Sequence, residues 1–137
     1  MPEIIQNNRA RQDRVLVDTS VWVEFIRFGS PQLSHLLMQG RVLMHDMVMG
    51  EIACGSVLGR GERLAAMGEL FKIDAAEPSE VLKFIEKHQL FGCGIGYVDS
   101  HLLASVALTP GCGLWSQDKR LHTVAQRMGC SFRELAH

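Results

Sequence analysis

The hydrophobic positions of the chain fall into short clusters that switch between strand-like and helical spacing. Val15-Leu16-Val17 is an unbroken apolar run closed by Asp18, which is the pattern of a buried strand. Val21, Trp22, Phe25 and Ile26 follow at helical spacing. The next helix is punctuated at both ends: Ser30 as N-cap, Pro31 in the first turn, Leu33, Leu36 and Leu37 on one face, and Gly40 as the stop. Val42-Leu43-Met44 reads as a second strand. Met47–Leu58 and Arg63–Phe71 read as two more helices, the latter aligning Leu64, Met67 and Phe71. After a strand candidate at Lys72-Ile73-Asp74, Pro78 opens a helix carrying Val81, Leu82, Phe84 and Ile85. The bend Gly92-Cys93-Gly94-Ile95-Gly96 leads into an almost wholly apolar helix, Tyr97–Leu108, ended by Pro110 and Gly111. Leu114-Trp115 is a strand candidate. Leu121, Val124, Ala125 and Met128 then describe a helix before Gly129, and Cys130-Ser131-Phe132 offers a last strand.

Strands alternating with helices imply an α/β fold with a parallel sheet covered on both faces. No repeat or linker divides the pattern, and 137 residues suit one domain. The expected unit is 14–137. Residues 1–13 lack apolar periodicity and are expected to form a flexible N-terminal arm.

Composition narrows the function classes. Fourteen Lys and Arg against fifteen Asp and Glu give a net charge of −1, so binding of nucleic acid by bulk positive charge is excluded. The start, MPEIIQNNRARQDR, has no apolar core of a signal peptide, and no run approaches the roughly 18 apolar residues of a membrane span. Cys54, Cys93, Cys112 and Cys130 form no CxxC pair, and the six histidines form no HxH or HxxxH cluster. The expected location is cytoplasmic, with reduced thiols. Any bound metal is expected to have oxygen ligands.

The acids carry the candidate chemistry. Ligands of such sheets bind beyond the carboxyl ends of the strands. Asp18 closes the first strand and Asp118 follows Leu114-Trp115, so both belong to one rim. Both are also ordinary N-cap positions. Glu51 shares its helical face with Met47, Val48, Cys54, Gly55 and Leu58, and Asp99 shares its face with Leu102, Leu103 and Val106. These two carboxylates are therefore expected on inward stripes, where an unpaired charge costs several kcal/mol or takes up a proton. No arginine lies on an inward stripe to pair with them. Carboxylates with open water positions suit Mg²⁺ or Mn²⁺, which can activate water and stabilise phosphoryl charge.

VLVDTSVW at 15–22, GEIACG at 50–55, GYVDSHLLASVAL at 96–108 and LWSQDKRL at 114–121 resemble PIN domains, most closely the VapC-type ribonuclease toxins of bacterial toxin–antitoxin modules. The resemblance runs in order from Arg14 to about Phe132. It implies a three-layer α/β/α PIN-like fold with a central parallel sheet of four or five short strands. It implies a Mg²⁺- or Mn²⁺-dependent endoribonuclease, with metal-binding catalytic acids at Asp18, Glu51, Asp99 and Asp118. It also implies supporting hydroxyls at Ser20 (or Thr19) and Ser116. The implied partners are an RNA substrate, a second copy of the chain in a homodimer, and a VapB-like antitoxin whose helical tail occupies the active-site groove. Where some PIN domains carry a further acid, Lys119, Arg120 and Leu121 follow Asp118, which leaves one or two metal ions open.

Lys119 and Arg120 adjoin the expected metal site and are assigned to RNA phosphates; Arg127 and Arg133 read as a solvated face. The glycine bend is neither GxGxxG after a strand nor a Walker A loop, and reads as a flexible lead into the Asp99 helix. Trp22 and Trp115 are assigned to core packing. Two alternatives remain: a catalytically silent PIN fold acting as a binding partner, and a different Asp-based phosphohydrolase. The haloacid dehalogenase pattern needs DxD after the first strand, where this chain has Asp18-Thr19-Ser20.

Overall fold

A computed structural model describes residues 12–133. Three parallel strands form the sheet: β1 (Arg14–Val17), β2 (Val42–Leu43) and β3 (Cys112–Trp115), in the order β2-β1-β3. Val15 and Leu16 pair with Val42 and Leu43 on one side, and Arg14–Val17 register with Cys112–Trp115 on the other. The expected outer strands shrink to single parallel bridges, Met44 with Lys72 and Leu114 with Ser131. They flank the sheet as its fourth and fifth positions.

Seven helices are described: α1 (Thr19–Phe28), α2 (Pro31–Met38), α3 (Asp46–Cys54), α4 (Arg60–Met67), α5 (Pro78–His88), α6 (Tyr97–Ala107) and α7 (Lys119–Arg127). The chain leaves central β1 toward β2, then crosses back to β3. Right-handed crossovers therefore place α1–α4 on one face and α5–α7 on the other. The packing agrees, with α1 against α3, α3 against α4, and α5 against α6. Val15, Leu16 and Val17, each fully buried, are the centre of the core, and Leu33, Leu36, Val48, Leu103 and Leu121 close over it.

Two helices differ from the sequence pattern. α3 stops at Cys54 because Gly55 turns the chain, its N–H bonding Ile52 O, so Leu58 falls outside and is exposed. α4 starts at Arg60, after Gly59 in the left-handed region, and ends at Gly68, which leaves Phe71 exposed. Of the expected arm, residues 1–11 lie outside the described residues, whereas Gln12 is buried. Its Nε2 donates to Ser131 O (2.9 Å) and its Oε1 accepts from Arg133 N (2.7 Å). Arg41 donates to the carbonyls of Gln12 and Asp13.

Behind α3 lies a buried polar knot. His45 caps α3, its Nδ1 accepting from Met47 N (3.0 Å), so the ring proton sits on Nε2. That Nε2 lies 3.2 Å from Ser105 Oγ, which also accepts from Ala76 N (3.0 Å) and donates to His101 O (2.8 Å).

Candidate active site

β1 is the switch point of the sheet: its own connection departs toward β2, while β3 on its other side connects away through α7. A crevice opens beyond the carboxyl ends of such a strand pair. Asp18 leaves β1, Ser116 and Asp118 leave β3, and the start of α6 delivers Asp99. Asp18 is buried, with Oδ1 accepting from Ser20 Oγ (2.5 Å) and Val21 N (3.3 Å), and Oδ2 accepting from Ser116 Oγ (2.6 Å). Each serine reaches further. Ser20 Oγ accepts from Gln117 N (2.9 Å) and Ser116 Oγ accepts from Asp118 N (3.0 Å), so the two hydroxyls tie the loop after β3 to the carboxylate after β1.

Thr19 and Ser20 divide the supporting role between them. Thr19 Oγ1 donates to Glu51 Oε1 at 2.5 Å and bridges α1 to α3, while Ser20 serves Asp18. Glu51 itself is exposed, which corrects the inward stripe expected for it: the buried face of α3 is Val48 and Ile52, and the helix ends before Leu58. Asp99 is half-buried at the start of a helix whose residues Ser100–Val106 are all buried, as its pattern predicts. Its Oδ2 accepts from Gly96 N (3.3 Å). Asp118 is exposed and caps α7, Oδ1 accepting from Arg120 N and Leu121 N. The capping and site readings of these acids are therefore compatible. Asp99 Oδ1, Asp118 Oδ2 and Glu51 Oε2 have no protein donor among the described residues.

The electrostatics show convergence. Burial raises the Asp99 pKa above the usual carboxylate value; the Gly96 amide opposes this, and the like charges of Asp118, Asp18 and Glu51 add to it. The three other acids are thus near enough to act on Asp99. Burial also raises the Asp18 pKa, against the lowering effect of its bonds from Ser116, Ser20 and Val21. Neither acid is ion-paired with a lysine or arginine among the described residues. No group of three or more His, Cys, Asp or Glu side chains among the described residues closes into a cage that could hold a metal ion by itself. A cation that keeps several of its own waters needs no such cage, and the spare oxygens are hard donors, so the residues fit Mg²⁺ or Mn²⁺. Lys119 and Arg120 stand exposed beside Asp118.

Two curated relatives cover almost the whole fold. "Ribonuclease VapC32" of Mycobacterium tuberculosis, from strain CDC 1551 / Oshkosh and from strain ATCC 25618 / H37Rv, is in each case 38% identical over 120 residues. That alignment spans 88% of this chain and 97% of the relative. The chain belongs to the VapC-type PIN-domain family. No family model matches it. For a VapC-type domain the haloacid dehalogenase alternative falls away, and the crevice of β1 and β3 is the place to look for chemistry. The sequence reading missed Gly94, whose contact with Arg120 is made across the fold, and Gly96, whose N–H caps Asp99 three residues on. Their alternation within one bend was the available signal.

Proposed function

We propose that this chain is a metal-dependent endoribonuclease, the toxin of a type II toxin–antitoxin pair, and that Asp18, Glu51, Asp99 and Asp118 carry its chemistry. The observation that carries the reading is the convergence of the four acids, with three oxygens left unclaimed by protein donors. Asp18, Glu51, Asp99 and Asp118 would hold Mg²⁺ or Mn²⁺, and the bound ion would supply an activated water and charge stabilisation on the phosphodiester. The protein's own share is placement. Ser20 and Ser116 lock both oxygens of Asp18, Thr19 fixes one oxygen of Glu51, and the Gly96 amide fixes one oxygen of Asp99. Lys119 and Arg120 hold RNA phosphates beside them.

The partners follow from the same reading. Trp22, Phe25, Ile26, Leu37, Met67 and Leu70 line an apolar cavity of about 150 Å³ between α1, α2 and α4, a surface that suits the apolar side of an antitoxin helix whose tail continues into the active-site groove. The protein acts as a homodimer in the cytoplasm. No helix among the described residues is long and apolar enough to cross a membrane, and the four cysteines are free.

The test is incubation with total RNA and Mg²⁺ or Mn²⁺, followed by mapping of new 5′ ends, with Asp99→Asn in parallel. Cleavage at discrete sites by the wild type, absent from the variant, is the expected result. Equal RNA profiles for the two proteins would reject the activity.

A further inference from the structure

The bend between α5 and α6 does more than admit the chain to α6. Its two later glycines touch the two sides of the candidate site. Gly96 N–H donates to Asp99 Oδ2. Gly94 stands in the left-handed region at φ +86°, and the side chain of Arg120 lies where a β-carbon would be. A methyl group at Gly94 would fall 2.6 Å from Arg120 Cδ, 3.1 Å from Nε and 3.2 Å from Nη1. Stem and guanidinium both run against bare backbone. The bend is pinned at its start, where Cys93 Sγ donates to Leu90 O (3.0 Å). Gly92, also left-handed at φ +70°, has nothing within 4 Å of the same position.

An exposed arginine in the first turn of a helix is otherwise free to sample many rotamers, and fixing it on binding costs entropy. Contact with a pinned backbone removes part of that cost in advance. Asp99 and Arg120 come from different helices, yet both rest on this one bend. We propose that Gly94 is a positioning residue for RNA binding: its bare backbone holds the Arg120 guanidinium in place relative to the Asp99 carboxylate, so that a phosphate held by Arg120 sets the register of the RNA on the acid cluster. This rests on the assignment of Arg120 to a substrate phosphate.

The experiment is anisotropy of a labelled single-stranded RNA across a salt series, for wild type, Arg120→Ala, Gly94→Ala, Gly92→Ala and the double variant Gly94→Ala with Arg120→Ala. Arg120→Ala should weaken binding roughly fivefold, the scale of one exposed ion contact, and reduce the salt slope by about 0.7, one counterion on a single strand. Gly94→Ala should reproduce most of the loss of affinity while keeping most of the salt slope, because the charge remains. Gly92→Ala carries the same left-handed alanine without touching Arg120 and should bind as wild type. The double variant should match Arg120→Ala alone, because two residues acting through one contact are not additive. Arg120→Lys covers the case in which Gly94→Ala does not fold. It keeps the charge but lacks the guanidinium that lies beside Gly94, so it should keep the salt slope and lose affinity. Wild-type affinity in Gly94→Ala, or in Arg120→Lys, while Arg120→Ala is weakened, would overturn the positioning role alone. Unchanged binding in Arg120→Ala would overturn the phosphate assignment beneath it, and the positioning role with it.

Discussion

Ser105→Ala removes one oxygen and strands two donors. Ser105 is fully buried, and its hydroxyl oxygen receives both Ala76 N–H and His45 Nε2–H. The histidine has no escape through its other tautomer, because Nδ1 is already the acceptor for Met47 N–H at the start of α3. A buried donor left without an acceptor costs about 1–3 kcal/mol. Against two of these stands a gain of at most about 0.5 kcal/mol from alanine's better helix propensity in α6. The net loss should be about 1.5–5.5 kcal/mol, or roughly 6–22 °C in melting temperature at about 4 °C per kcal/mol for a domain of this size. Urea denaturation followed by circular dichroism reads it directly, as a lower midpoint at an unchanged m-value. A loss below about 0.5 kcal/mol would refute the reasoning, since both donors would then have found other partners.

Three further outcomes are expected. Burial holds the pKa values of His45 and His101 below 6.5, so the folded state binds fewer protons than the unfolded chain just below that pH. Stability should be independent of these groups above pH 6.5 and fall as the solution is acidified below it. His45→Asn should flatten the fall, and an equal drop in urea midpoint from pH 7.5 to 5.5 in both proteins would contradict it. Millimolar Mn²⁺ should raise the melting temperature of the wild type by mass action and leave Asp99→Asn unmoved; equal shifts would assign the metal elsewhere. Gly113→Ala would put a methyl group 2.6 Å from Phe132 Cα and 2.8 Å from Gln12 Cδ and Nε2. Because Phe132 Cα is backbone and cannot swing aside, the variant should lose about 1–3 kcal/mol, read as a lower urea midpoint; an unchanged midpoint would mean that the last segment is not held against β3.

How far the residues alone could carry this picture depended on the range of each interaction. Asp18 and Asp118 were legible because a strand end is a local event, announced by the run of Val15-Leu16-Val17 and by Leu114-Trp115. The stripe under Asp99 was legible too, since a helix buried on nearly every side shows in its composition. For Glu51 the helix was legible but the environment was not: periodicity was read through Gly55, which ends the helix and takes Gly55 and Leu58 out of the supposed stripe. Lys72 and Ser131 show another limit, because one bridge suffices at a sheet edge and local pattern does not fix strand length. Gly94 and Gln12 were beyond reach, as their contacts lie with Arg120 and Ser131, far along the chain, whereas the bond from Gly96 to Asp99 is local and was within reach as an N-terminal capping pattern.

Three helices, α1, α6 and α7, begin at the crevice; Asp18 and Asp118 are the N-caps of α1 and α7, and Asp99 lies in the first turn of α6. The first turn of a helix presents unpaired amides equivalent to about half a positive charge. Three such ends offset part of the repulsion among four carboxylates without placing any cationic side chain among them. A lysine there would take up the oxygens that a metal needs and would repel the metal as well. A helix end does neither, and it cannot swing away or lose a proton. It also favours the approach of an anion. On the proposed function, the backbone would thus lend the site a fixed positive background, letting it gather acids for a cation and still admit a phosphodiester.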